Sequence, residues 1–125
     1  MVIWVMSVRL RGMASFKDLQ VWQRGVELAS EIYNLCNKLP ANERFGLCSQ
    51  MQRAAVSIPS NISEGYRRNG RQEFKQYCGI ALGSSAELET QLIITQSVYS
   101  DINCESLLKT CTEIQKMLTV LIKRL

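Results

Sequence analysis

The chain has 125 residues, 46% of them hydrophobic and 21% charged, and carries a formal net charge of +4. These values exclude a disordered polar chain, and no apolar run approaches the ~20 residues needed to span a bilayer. They fit one domain with its own core, and the small basic excess is a modest pointer to an anionic partner.

The first fifteen residues read as an N-terminal extension to a domain covering 16–125. The apolar stretch Val2 to Val5 is too short for a secretory h-region, and Arg9 and Arg11 follow it rather than precede it. Met13 is a candidate initiator, with residues 1–12 an upstream start.

Four segments with helical periodicity follow. The first runs from about Asp18 to Lys38, with Leu19, Trp22, Val26, Ala29, Tyr33 and Cys36 recurring at steps of three and four. Ser15 is a candidate cap, and Leu39-Pro40 ends the run because the residue before proline is pushed out of the α region. The second runs from about Glu43 to Tyr66 along Leu47, Met51, Ala54, Ile58 and Ile62, with Asn42 as its expected cap and Gly65 or Gly70 as its stop. Pro59 stands inside it, where a proline removes one hydrogen bond and costs ~3 kcal/mol unless a kink or a break absorbs it. The surrounding Ser57, Ser60, Asn61 and Ser63 could bond freed carbonyls or face another subunit.

The third segment starts near Arg71 and carries Phe74, Tyr77, Ala81, Ser85, Leu88 and Leu92. Its centre, GIALGSSAE, is rich in small residues and predicts close approach of a neighbouring helix. The fourth has an unbroken apolar seam of Leu107, Cys111, Ile114, Leu118, Leu121 and Leu125. No segment alternates with the period of a β-strand. Short connections force antiparallel neighbours, so the chain predicts an all-α, up-down-up-down four-helix bundle.

Catalytic and metal chemistry find little support. Histidine is absent, and the five cysteines contain no C-x-x-C pair, so zinc-ligand spacing is missing and the commonest general base is unavailable. Glu87 and Glu89 stand two apart and face different directions on a helix. Gly79 and Gly83 lie within a helical pattern, not in a phosphate loop. The expectation is a non-enzymatic protein without cofactor or metal, its cysteines buried thiols in the cytoplasm.

The basic cluster is the stronger signal. Arg53, Arg67, Arg68, Arg71 and Lys75 are candidate nucleic-acid-binding residues, with Arg67, Arg68 and Arg71 flanking the Asn69-Gly70 turn and Tyr66 beside them. Arginine forks suit phosphate oxygens, and the amides at a following helix start favour anions as well. The competing reading is a solvated basic turn. Trp4, Trp22, Tyr33, Tyr66 and Tyr99 do not form a stacking platform in the sequence and are read as packing residues.

Three blocks, FKDLQVWQRGVELASEIYNL, GLCSQMQRAAVSIPSNISEGYRR and EFKQYCGIALGSSAELETQL, resemble the bacterial proteins encoded in intervening sequences of 23S rRNA genes, also called S23 ribosomal proteins. The resemblance covers about Phe16 to Leu125, is most specific over Gln50 to Gly65, and leaves residues 1–12 outside. It implies a bundle of four antiparallel helices that assembles as a ring-like homopentamer. It extends to the accessory variability determinant of diversity-generating retroelements, a basic pentamer that binds nucleic acid and a reverse transcriptase. The basic positions matching the family pattern are Arg53, Arg67 and Arg68; Arg71 and Lys75 are added from charge alone.

Three functional readings follow. The first is a homo-oligomer binding RNA or DNA through phosphate contacts with little sequence preference. The second is a protein-interaction scaffold, and the third a redox-responsive module using Cys104 and Cys111, which lie two helical turns apart and far for a bridge.

Overall fold

The computed structural model describes residues 15–125. The expectations for residues 1–12 and for a start at Met13 lie outside these residues, as does Trp4. The described chain is all helical: α1 (Gln20–Cys36), α2 (Leu47–Arg67), α3 (Arg71–Val98) and α4 (Glu105–Arg124). Short 3-10 turns occupy Phe16–Asp18 and Ala41–Glu43. Each helix packs on its chain neighbours, and α1 closes the ring against α4. The result is an antiparallel up-down-up-down four-helix bundle.

The seam read on α4 forms as expected: Leu107, Cys111, Ile114 and Leu118 are buried, and Leu121 and Leu125 pack half-buried at its end. The stripes of α2 and α3 enter the core too, with Met51, Ile58, Ile62, Phe74, Leu88 and Leu92 fully enclosed. The face of α1 is a correction. Val21, Gly25, Leu28, Ile32 and Leu35 are buried, one residue round from the expected row, and Val26 and Tyr33 are left 39% and 49% exposed. Both rows keep steps of three and four, and the row that wins includes Gly25, which adds no hydrophobicity to a sequence pattern. Its value is steric: a Cβ there would sit 3.3 Å from Pro59 Cδ, so the missing side chain lets the proline of α2 press against α1.

Pro59 therefore belongs to the core. It is buried inside one continuous helix rather than dividing two. The nearby polar side chains tidy the surface around it: Asn61 Nδ2 donates to the Ser57 carbonyl at 2.8 Å, Ser63 Oγ donates to the Ser60 carbonyl at 3.0 Å, and Ser57 and Ser84 hydroxyls meet at 2.8 Å.

Two stop and cap assignments change as well. Asn42 lies in a 3-10 turn, and α2 starts at Leu47, whose amide donates to the Glu43 carboxylate at 3.4 Å. Gly65 does not stop α2. A Cβ at Gly65 would stand 2.6 Å from Tyr77 Cβ and 3.1 Å from Phe74 Cδ1, so this glycine sets the close approach of α2 and α3. Gly70 makes the turn, with φ at +155°, a backbone that L side chains rarely adopt. At the centre of α3 the approach to α2 is made through Ala81, Ser84 and Ser85, of which Ala81 and Ser85 are fully buried, and not through the glycines, since a Cβ at Gly79 or Gly83 would meet nothing within 4 Å.

Candidate nucleic-acid interface

Of the five candidate cations, Arg67 and Arg68 line one recess and Arg53 lines another. Arg53 and Arg67 lie fourteen residues apart on α2, about 21 Å along its axis, and share its outward face with Ser60 midway. Two shallow recesses meet at Ser60. One is lined by Phe16, Ser63, Glu64, Arg67 and Arg68, the other by Tyr33, Ser49, Arg53, Val56 and Asn61. Arg71 opens α3, and Lys75 stands exposed one turn on.

Arg68 is tied into the fold. Its guanidinium pairs with Glu64 at 3.0 Å and Glu73 at 3.9 Å, donates to Tyr77 Oη at 2.8 Å, and lies 5.2 Å from the centre of the Tyr77 ring. The hydrogen bond to Glu64 and then the neighbouring Tyr77 hold its pKa above the usual arginine value. Arg68 thus staples α2 to α3 across the turn, next to the close approach at Gly65. Arg67 is stacked over a different ring, 5.8 Å from the centre of Phe16. The expected aromatic partner, Tyr66, is half-buried and edge-on to both Phe16 and Phe74, at 6.4 and 5.9 Å between ring centres. Phe16 also meets Trp22 edge-on at 5.3 Å, so Trp22 and Tyr66 belong to one aromatic cluster that caps this end of the bundle. Nearness of Tyr66 to Arg67 in sequence hid the ring that matters, because Phe16 comes from the turn before α1.

Four of the thiols, Cys36, Cys78, Cys104 and Cys111, are held toward the protonated form. All five cysteines are free. Burial pushes Cys78 and Cys111 up to about 12 and raises Cys104. Cys36 is also raised to about 12, first by burial and then by the neighbouring Cys48 thiol. The pair that meets is Cys36 and Cys48, each sulfur within 3.8–3.9 Å of the other's carbonyl oxygen, and not Cys104 with Cys111. Among the described residues, no group of three or more Cys, Asp or Glu side chains could hold a metal ion, and no helix is long and apolar enough to cross a membrane.

A further basic feature escaped the sequence reading. Lys109, Lys116 and Lys123 recur at steps of seven on α4, opposite the buried seam, and all three are exposed. Steps of seven are two helical turns, so these side chains form one row. The signal was in the sequence: once Leu107 to Leu125 is assigned inward, these lysines fall on the opposite face.

Comparison with known proteins agrees with this architecture. No curated protein matches the chain. It resembles a solved protein of unknown function from the S23 ribosomal protein family of Bacteroides thetaiotaomicron VPI-5482, at 32% sequence identity and a TM-score of 0.75. The match covers 82% of this chain and 98% of the other. The family model described as 23S rRNA-intervening sequence protein matches residues 17–120. The chain belongs to the 23S rRNA-intervening sequence protein family.

Proposed function

We propose that this protein is a non-enzymatic, homo-oligomeric four-helix bundle of the cytoplasm that binds RNA or DNA through sequence-independent phosphate contacts. The observation that carries the reading is the outward line of α2, where Arg53 and Arg67, about 21 Å apart along the axis, each line one of two serine-lined recesses that meet at Ser60. Guanidinium forks beside serine hydroxyls supply donors for phosphate oxygens. Arg71 and Lys75 extend the basic surface round the start of α3. Fluorescence anisotropy with a labelled duplex tests it. The Arg53→Glu/Arg67→Glu variant weakens binding, and more so at low salt; unchanged affinity contradicts the contact.

Self-association is supported by apolar surface that the single chain leaves uncovered. Val26, Tyr33 and Val56 are exposed beside the α1–α2 groove, and Ile80, Ile94 and Val98 lie outward on α3. The apolar residues of α3 are spread round its circumference, a pattern of helices that are covered on more than one side. A homopentamer is the assembly expected from the family resemblance. Light scattering at micromolar concentration tests it, and a monomer contradicts it.

The same apolar rows favour a second reading, an interaction scaffold whose partner is another protein. A pull-down after nuclease treatment separates the two: a stoichiometric protein partner that survives nuclease supports the scaffold, and its loss with the nucleic acid supports the first reading.

A further inference from the structure

Arg9 and Arg11 contribute to the net charge of +4 from outside the described residues, and within residues 15–125 the fold distributes charge unevenly. Around the α2–α3 turn, Glu64 and Glu73 neutralise much of what the arginines bring. On α4 the situation is reversed. Glu113 is the sole carboxylate between Lys109 and Lys123, and it is turned to the side, where it pairs with Arg24 of α1 at 2.5 Å. Among the described residues, Lys109, Lys116 and Lys123 make no ion pair. Their row spans about 21 Å, with about 10 Å between neighbours.

Between the lysines stand Thr112 and Thr119, at the i+3 positions, so the outward stripe reads Lys-Thr-Lys-Thr-Lys. Both threonines are exposed and donate their hydroxyl protons to helix carbonyls, Leu108 at 3.2 Å and Gln115 at 2.8 Å. The hydroxyls are thereby held down on the helix, while the three lysine side chains are exposed. Among the described residues the three ammonium groups make no ion pair, and the carboxylate that flanks the row on this side is exposed Glu105, four residues before Lys109.

We infer that the outward stripe of α4, Lys109-Thr112-Lys116-Thr119-Lys123, is a contact surface for the phosphate backbone of a nucleic-acid duplex. The inference deepens the nucleic-acid reading above and rests on it, but places the main electrostatic contact on a different helix. Three features select the ligand. Flexible ammonium point charges suit phosphates whose positions vary with sequence and helical form. Protein–protein interface cores favour aromatic residues and arginine and are depleted in lysine, and this stripe has no aromatic anchor and a single exposed aliphatic side chain, Val120, beside it. Single-strand binders stack bases on aromatic rings, which the stripe also lacks, so a duplex read from its backbone is the better fit. Successive lysines are spaced by about three phosphates of one strand of B-form DNA, whose rise is about 3.4 Å.

The test is equilibrium binding of the full chain to random-sequence DNA and RNA duplexes of ~25 base pairs by fluorescence anisotropy, a length that exceeds the row at 3.4 Å per pair. Wild type is compared with Lys109→Gln/Lys116→Gln/Lys123→Gln and with the matching triple arginine variant Lys109→Arg/Lys116→Arg/Lys123→Arg. The glutamine variant is expected to lose roughly tenfold or more in affinity at ~0.1 M salt, and the arginine variant to bind as wild type does. Equal loss on both duplexes identifies the shared backbone as the ligand, and loss on one alone identifies that form as the source. A wild type that binds neither duplex overturns the inference together with the nucleic-acid reading. A wild type that binds, with a glutamine variant that binds equally well, overturns the inference and leaves the nucleic-acid reading standing. Loss of binding in the arginine variant too also overturns it, since charge would then not be what the row contributes.

Discussion

The α2–α3 turn and the outward face of α4 are both basic, but the fold treats their charges differently. At the turn, Arg68 is held by Glu64, Glu73 and the Tyr77 hydroxyl, and Arg67 lies over Phe16. On α4, Lys109, Lys116 and Lys123 are exposed; Glu113 on the same helix is engaged by Arg24, and Glu105 stands four residues before Lys109. The turn is dense in charge along the sequence and largely compensated in space. The α4 row is dilute in sequence, one lysine in seven, and aligned in space. Fields that reach a ligand come from uncompensated charge, so density along the chain is a poor guide to an electrostatic site.

If the turn is chiefly a packing device, its disruption shows first in stability. Gly65→Ala is expected to give the largest effect, since its Cβ would collide with Tyr77 Cβ and force α2 and α3 apart. Chemical denaturation should record a loss of about 1–3 kcal/mol, the usual cost of overpacking. An unchanged midpoint would mean that the helices separate freely and that Arg68 is not stapling a tight interface.

Alkaline pH probes the core behind both regions at once. Cys78 lies on α3 beyond the turn and Cys111 lies on α4 beneath the lysine row, each pushed by burial up to about 12 from an ordinary 9.0. Between those pH values the folded chain keeps the two protons and the unfolded chain releases them. Stability present below pH 9 is therefore lost as pH rises toward 12, at about 1 kcal/mol per pH unit for each thiol. Denaturation midpoints across this window should fall more steeply in wild type than in Cys78→Ala/Cys111→Ala, which is itself less stable at pH 7. Parallel curves would contradict the burial of these thiols.

Smaller still is the contrast between single cations. Arg68→Gln should lower the melting temperature, by less at high salt, because it removes two ion pairs and the bond to Tyr77. Lys116→Gln should leave it where it was. Equal effects would erase the distinction between a stapling and a projecting charge.

Part of this contrast was legible in the sequence. The seam of α4 is periodic, uninterrupted and free of rivals, so both its buried face and the opposite lysine row follow from the pattern alone. On α1 two adjacent rows satisfy the same spacing, and packing against Pro59 chose the one containing Gly25, a steric criterion that hydrophobic periodicity does not register. Glu64 and Arg68 stand four apart on one helix, so that pair was readable. Tyr77 and Phe16 come to the arginines from other elements, and their contacts arise only when α3 and the turn before α1 are packed. The outward cations of a helix can thus be read once its seam is known, whereas whether a charge is already paired depends on chain segments far away.

The most direct test compares the salt dependence of duplex binding for two triple variants, Lys109→Gln/Lys116→Gln/Lys123→Gln and Arg67→Gln/Arg68→Gln/Arg71→Gln. Each phosphate contact contributes about 0.9 to the slope of log K against log salt. The lysine variant should flatten that slope by roughly 2–3, and the arginine variant by roughly 1 or less. A larger change in the arginine variant, with the lysine variant matching wild type, would return the site to the turn and contradict the account.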